Sequence, residues 1–388
     1  MQYFSLKPIW ELQKFDTTIF NELISNDNSV NETLNKFNFL ESLPYLNDLC
    51  DVDTNSFFRP KGSSRAFYIK LNSGGVIAIK GSEVLSNSIS NAFKEDSIKQ
   101  IGRRPWTKYE NFIYREQKSP LAVYFNEGQE DQIKALEFQK QMVTNFKSLE
   151  LAPIPLYTYK LPKKITTDYL EKISPYFNQR SKEIILNPLK NNGLGVVVYY
   201  YQHAPFRIAF ESVKEDITLE ERLKRGESNQ YFSYNAYQSV EKLLLIVAKM
   251  LVSSLMPLSR YSHGIGQCIA KQNVTLLGGI TDMGSIINFS EISSESEFMQ
   301  LYLSCISVLT STIREFLTSG NTSYLFEFED PTPNAIIISN YCLNRINYNC
   351  LILTKKYNLK LPIILKNCLD ISKNCVPELF QKDLSNLY

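Results

Sequence analysis

Lys80 closes the strand-like run VIAIK, and Asn273 and Asp282 bracket the segment NVTLLGGITD. A strand-end lysine beside two hard oxygen donors suits phosphate chemistry. The cation meets phosphate oxygens, and the oxygen donors hold magnesium. Nine residues separate Asn273 from Asp282, and the apolar run between them has the length of a tight β-hairpin, which would bring its two ends to one place. A phosphate-binding lysine needs an acid to hold it, and Glu137, in KALEFQK, can supply one, with Glu130 and Asp131 earlier on the same helix as alternatives. The small-residue basic loop RPKGSSR precedes the first strand pair, and Gly62 and Arg65 within it are candidates for contact with nucleotide phosphates, as are Arg103 and Arg104 in GRRPW by charge alone.

Each residue has a plainer role when taken alone. A strand-end lysine is usually solvated, a helix glutamate is usually exposed, an Asn before a strand is a cap or turn residue, and Asp-x-Gly is common in turns. The order in which they occur is what favours the functional reading: a lysine after strands, acids on a helix, more strands, a buried helix, then HG…N…D-x-G between His263 and Gly284.

The elements that must position these groups follow from hydrophobic periodicity. Apolar residues at Ile9, Leu12, Phe15, Ile19 and Leu23 recur at helical steps, so residues 8–50 read as helical, divided by NDNSVNET. RAFYIKLNSGGVIAIKG reads as two strands joined by a turn, Ala66 to Leu71 and Val76 to Lys80. Residues 83–100 read as a polar helix. GQEDQIKALEFQKQMVTNF reads as a helix with Ile133, Leu136, Met142, Val143 and Phe146 on its apolar side. APIPLYTYKL and the β-prone GLGVVVYYY follow as strands, the second central in a sheet. A charged surface segment spans residues 216–229. AYQSVEKLLLIVAKMLVSSLMPL then reads as a helix buried on most sides, and the region after Glu291 as mainly helical.

The ordered set resembles the protein-kinase-like fold, with its glycine loop, VAIK lysine, helix glutamate, catalytic-loop Asn and Asp-Phe-Gly turn. Within that superfamily, HG at 263–264 and NVTLLGGITDMG at 273–284 are most similar to the selenoprotein O family, a pseudokinase-like group that transfers AMP. The resemblance implies an α+β, two-lobed kinase-like fold, with a helical extension over 1–50, an N-lobe over 51–200 and a mainly helical C-lobe over 201–388. It implies ATP and magnesium as cofactors, and an ATP-dependent transferase moving AMP or phosphate onto a protein or peptide acceptor. On this reading Lys80, Glu137 and Asp282 are catalytic, Gly62, Arg65 and Lys80 meet the nucleotide, Asn273 and Asp282 bind the metal, and His263 braces its loop. The chain departs from both patterns at the base. Cys268 stands where a kinase has its catalytic Asp, and Gln272 where selenoprotein O has an Asp before the Asn. A non-catalytic pseudokinase scaffold is the alternative.

Bulk composition narrows the field further. Lys and Arg number 42 against 40 Asp and Glu, too even a balance for a nucleic-acid partner. Seven cysteines without a Cys-x-x-Cys pair, and only two histidines, argue for reduced buried thiols over a zinc site. The N-terminus lacks a signal-peptide pattern, and the most apolar helical run is too short to span a bilayer. The expectation is a cytoplasmic protein without a membrane partner.

Overall fold

The computed structural model describes residues 8–11, 57–58, 66–71, 74–81, 123–176, 179, 182–208, 236–261, 264–319 and 335–373. The fold is α+β. Its sheet contains β1 (Pro8–Glu11), β2 (Phe57–Phe58), β3 (Ala66–Lys70), β4 (Val76–Lys80), β5 (Val123–Tyr124), β6 (Ile154–Lys160) and β7 (Leu194–Tyr201). The strand order is β1-β6-β7-β4-β3-β2, every pairing is antiparallel, and β5 joins the start of β7. The β3–β4 hairpin closes through Gly74, whose φ of 90° suits glycine. β7 is central and buried along its whole length, as its run of Val and Tyr suggests.

Pro8–Glu11 corrects the helical reading of residues 8–50 at its start. These residues form an edge strand paired with β6. A proline has no N–H to donate and is tolerated at the first residue of an edge strand, and Ile-Trp favours the pleat. The rest of that region lies outside the described residues, as do residues 83–100 and 216–229.

Helix α1 (Phe125–Phe146) lies against the sheet. Its buried side carries Leu136, Phe138, Met142, Val143 and Phe146, while Ile133 is 40% exposed, contrary to its expected place on that side. The seat of α1 is partly polar. Pro155 interrupts the β6 ladder, and the register shifts between Pro155 and Tyr157. Gln132 Nε2 donates to the carbonyls of Tyr157 (2.9 Å) and Val198 (3.1 Å) beside that bulge. Two turns later Gln139 donates to the carbonyls of Glu150 and Ala152 and accepts the Glu150 amide, each at 3.1 Å.

Between β6 and β7 lie α2 (Lys163–Ile173) and the short α3 (Asn187–Asn192). After β7 come α4 (Ala236–Val252), α5 (Glu295–Ser319), α6 (Ala335–Tyr357) and α7 (Ile363–Lys373). Two small strand pairs precede α5: β8 (Leu255–Met256) with β11 (Ile287–Asn288), and β9 (Leu258–Tyr261) with β10 (Gly264–Gln267). One continuous apolar core joins the α1 side of the sheet to α4, α5, α6 and α7. Within it Lys249 of α4 pairs with Glu150, and Ser148 Oγ accepts from Lys249 at 3.2 Å. This charge in an otherwise apolar helix is therefore compensated. About two turns earlier on α4, Glu241 holds Arg345 (2.6 Å to Nε) and Tyr341 of α6.

Lys249→Met leaves Glu150 buried and unpaired, and is expected to lower the unfolding free energy by about 3–5 kcal/mol in urea denaturation. Adding Glu150→Gln should recover most of that loss. A single variant as stable as the parent would mean that Glu150 does not depend on Lys249.

Candidate functional site

Lys80 ends β4 with its side chain on the α1 side of the sheet. Its register partner is Val197, so strand alternation puts Lys80, Ala78, Val197, Tyr199 and Tyr201 on one face. Lys80 Nζ sits 3.5 Å from the carbonyl oxygen of Thr281 and 4.9 Å from the centre of the Tyr199 ring.

The acid that α1 turns toward this point is Asp131, not Glu137. At 100° per residue, six residues place Glu137 about 240° around the helix from Asp131, and Glu137 is exposed. Glu130, which shares the Glu137 side, is exposed as well and pairs with Lys134 at 3.1 Å. Asp131 Oδ2 accepts from the Tyr199 hydroxyl at 2.5 Å, and its Oδ1 from the Met283 amide at 3.1 Å. Lys134, almost one turn on, donates to the Gly284 carbonyl at 2.9 Å. The two α1 side chains thus hold the Met283–Gly284 dipeptide from both ends, at the Met283 amide and the Gly284 carbonyl.

The hairpin expected between Asn273 and Asp282 is present. Val274 and Ile280 pair, the Thr281 amide donates to the Asn273 carbonyl at 2.8 Å, and the Thr281 hydroxyl donates to the same oxygen at 3.1 Å. Asn273 therefore stands opposite Thr281, one position from Asp282. The turn fits its surroundings only because it is made of glycine. A Cβ on Gly278 (φ +79°) would come within 2.1 Å of the Ser239 carbonyl oxygen, and one on Gly279 within 2.3 Å of that of Leu151. Ser239 Oγ donates to Leu276 O at 2.6 Å, and the Ile280 amide to Leu151 O at 2.7 Å, so the hairpin is pinned to α4 and to the α1–β6 link.

Asn273 is 8% exposed and Asp282 is half-buried, its Oδ1 accepting the Gly284 amide at 3.1 Å. The Tyr201 hydroxyl donates to Thr281 O at 3.2 Å. Asp131 Oδ1 and Asp282 Oδ1 each lie 3.4 Å from the point where a Gly284 Cβ would stand, so the two carboxylates flank the same glycine. Burial, then repulsion from Asp282, push the Asp131 carboxyl up from 3.8 to about 7, against the opposing pull of Lys80, Tyr199 and the Met283 amide. Tyr199 and Tyr201 are held well above the usual phenol range, first by burial.

Gly62, Arg65 and His263 lie outside the described residues. Cys268 is fully buried, donates to the Pro257 carbonyl at 3.0 Å, and has its thiol pushed well up by burial, which makes it a poor stand-in for a catalytic base. The Gln272 carbonyl accepts from Arg207 Nη1 at 3.1 Å. From sequence Asp131 was legible only as an alternative to Glu137 on the same helix, and Lys134 and the tyrosine pair were not singled out. The available signal was YYY at the end of a central strand, which puts Tyr199 and Tyr201 on one face.

No three or more His, Cys, Asp and Glu side chains gather as a metal site among the described residues. Asp131 and Asp282 are two carboxylates flanking Gly284 beside the hairpin that carries Asn273. A scan against protein-family models finds no match for the chain, and no curated protein matches it.

Two outcomes follow. The folded state binds a proton at Asp131 that the unfolded chain releases above about pH 4, so stability should fall as pH rises toward 7 and then level off. Asp131→Asn should flatten that slope and be more stable than the parent at pH 8, by a few kcal/mol in urea titrations. An unchanged slope would move the ionisation elsewhere. Gly278→Ala should cost about 2–4 kcal/mol, because backbone must shift at a positive φ.

Proposed function

We propose that the chain is an ATP-dependent transferase of two-lobed, kinase-like architecture that moves AMP or phosphate onto a protein or peptide acceptor. The observation that carries this reading is the meeting of three distant segments: the β4 lysine, an α1 carboxylate and the Asp282–Gly284 turn after a nine-residue hairpin. In this reading Asp131 takes the helix-acid role first given to Glu137. The antiparallel sheet with one helix across it, followed by a helical body, is compatible with the two-lobed arrangement.

The work of each residue follows from charge and position. Lys80 offers an ammonium to phosphate oxygens from a rigid strand, and Asp131 with Tyr199 keeps the surrounding field fixed. Asp131 and Lys134 orient the turn, so that the Asp282 side chain is presented in one geometry. Asp282 and Asn273, with Asp131 close by, would hold magnesium. That ion would supply Lewis-acid neutralisation of charge developing on the phosphates. With Cys268 a buried thiol, no group stands at the usual base position. The acceptor hydroxyl would lose its proton late, as loose phosphoryl transfer permits.

The same buried thiol favours a second reading, a pseudokinase scaffold that binds nucleotide or a partner without turnover. Incubating the full chain with magnesium and ATP labelled at the α- or the γ-phosphate separates the cases. Retained α-label on protein means AMP transfer, and retained γ-label means phosphorylation. Neither label, with nucleotide still bound, means a scaffold, and absence of binding sinks both readings. Lys80→Ala should abolish label transfer or weaken ATP binding at least tenfold while changing stability by less than about 1 kcal/mol. Unchanged transfer would remove Lys80 from the site.

A further inference from the structure

Positions 331–369 contain no Asp or Glu but five cations: Arg345, Lys355, Lys356, Lys360 and Lys366. Arg345 is neutralised by Glu241. The four lysines are exposed around the corner where α6 passes into α7, and none forms an ion pair with a described residue. The chain turns there at Asn358, whose φ is 52°. Exposed apolar side chains lie on the C-terminal half of α6 and at the start of α7. Tyr348, Leu351 and Ile352 are 51%, 47% and 44% exposed, and Ile363, at the first residue of α7, is 78% exposed. Helical spacing sets 348, 351, 352, 355 and 356 on a single side of α6, opposite the buried Ile346, Cys350 and Leu353. Glu295 accepts from Asn367 at 3.2 Å, and the acid-free run ends at Asp370, four residues after Lys366 on α7.

We propose that this α6–α7 corner docks on an anionic membrane surface. Negatively charged lipid headgroups over hydrocarbon supply counter-charge and an apolar phase in one surface, the combination that four exposed lysines together with Ile363, Leu351, Ile352 and Tyr348 present. Lysine stems can lie along the apolar groups while their ammonium ends meet headgroups. The attachment is peripheral, since no described helix is long and apolar enough to cross a membrane. It is independent of the nucleotide reading. The tyrosine and aliphatic side chains would enter the headgroup boundary, so both charge and apolar area contribute.

The test is co-sedimentation of the full chain with phosphatidylcholine vesicles, with and without phosphatidylserine, at low and high salt. Binding is expected to the phosphatidylserine vesicles only, and to weaken as salt is raised. Each lysine changed to Gln, singly among 355, 356, 360 and 366, should lower the partition coefficient about fivefold. Ile363→Ser should weaken binding without altering its salt dependence. These substitutions are at exposed positions, and circular dichroism would verify that the fold is kept. Absence of binding to phosphatidylserine vesicles overturns the proposal, as does equal binding to neutral vesicles. Capture by polyglutamate without vesicle binding would point to an acidic protein instead. Salt-sensitive self-association without vesicle binding would assign the corner to a second copy of the chain, and either result also overturns the proposal.

Discussion

The placement of α1 depends on amide side chains reaching backbone oxygens that the sheet leaves open. Pro155 interrupts the ladder of β6, and Gln132 occupies the resulting gap with bonds to two carbonyls. Gln139 closes the loop between α1 and β6 in the same way. Both glutamines are fully buried. Leaving such carbonyls unpaired costs about 1–3 kcal/mol each, and the bonds are directional where apolar packing is not. They fix how far along its axis, and at what rotation, the helix meets the sheet.

That rotation decides the chemistry of the site. With α1 so set, Asp131 points at Tyr199 and the Met283 amide, Lys134 reaches Gly284, and Glu137 faces solvent. The acid closest to the turn is then a short one, half-buried and crowded by Asp282, and its carboxyl rises toward neutrality. A cation placed there would relieve the crowding. The polar site thus carries an electrostatic cost that the rest of the fold offsets.

The offset comes from the core that continues from the sheet into the helical body. The hairpin bearing Asn273 and Asp282 is held at its tip by Ser239 and Leu151 and at its base by Thr281 and Arg207. Lys249 and Glu150 lock α4 to the link between α1 and β6. The elements that carry Lys80, Asp131 and Asp282 are in this way braced against each other through groups distant in sequence.

The order of hydrophobic and polar residues determined most local structure. Runs of β-branched and aromatic residues bounded by turn residues defined β3, β4, β6 and β7, helical spacing defined α1, α4 and α5, and the gap between Asn273 and Asp282 with its two glycines determined a hairpin. These are short-range effects, set by pleat, turn and helix periods within a few residues. Only the tertiary structure decided which acid faces Lys80, because helix rotation depends on Gln132 and Gln139 finding carbonyls on other strands. It also made Pro8–Glu11 an edge strand, since the open edge of β6, nearly 150 residues away, is what pairs with it. Tyr199 and Tyr201 acquired their partners for the same reason. A strand's two faces are legible in its alternation, but what lies across each face is set by the packing of distant segments.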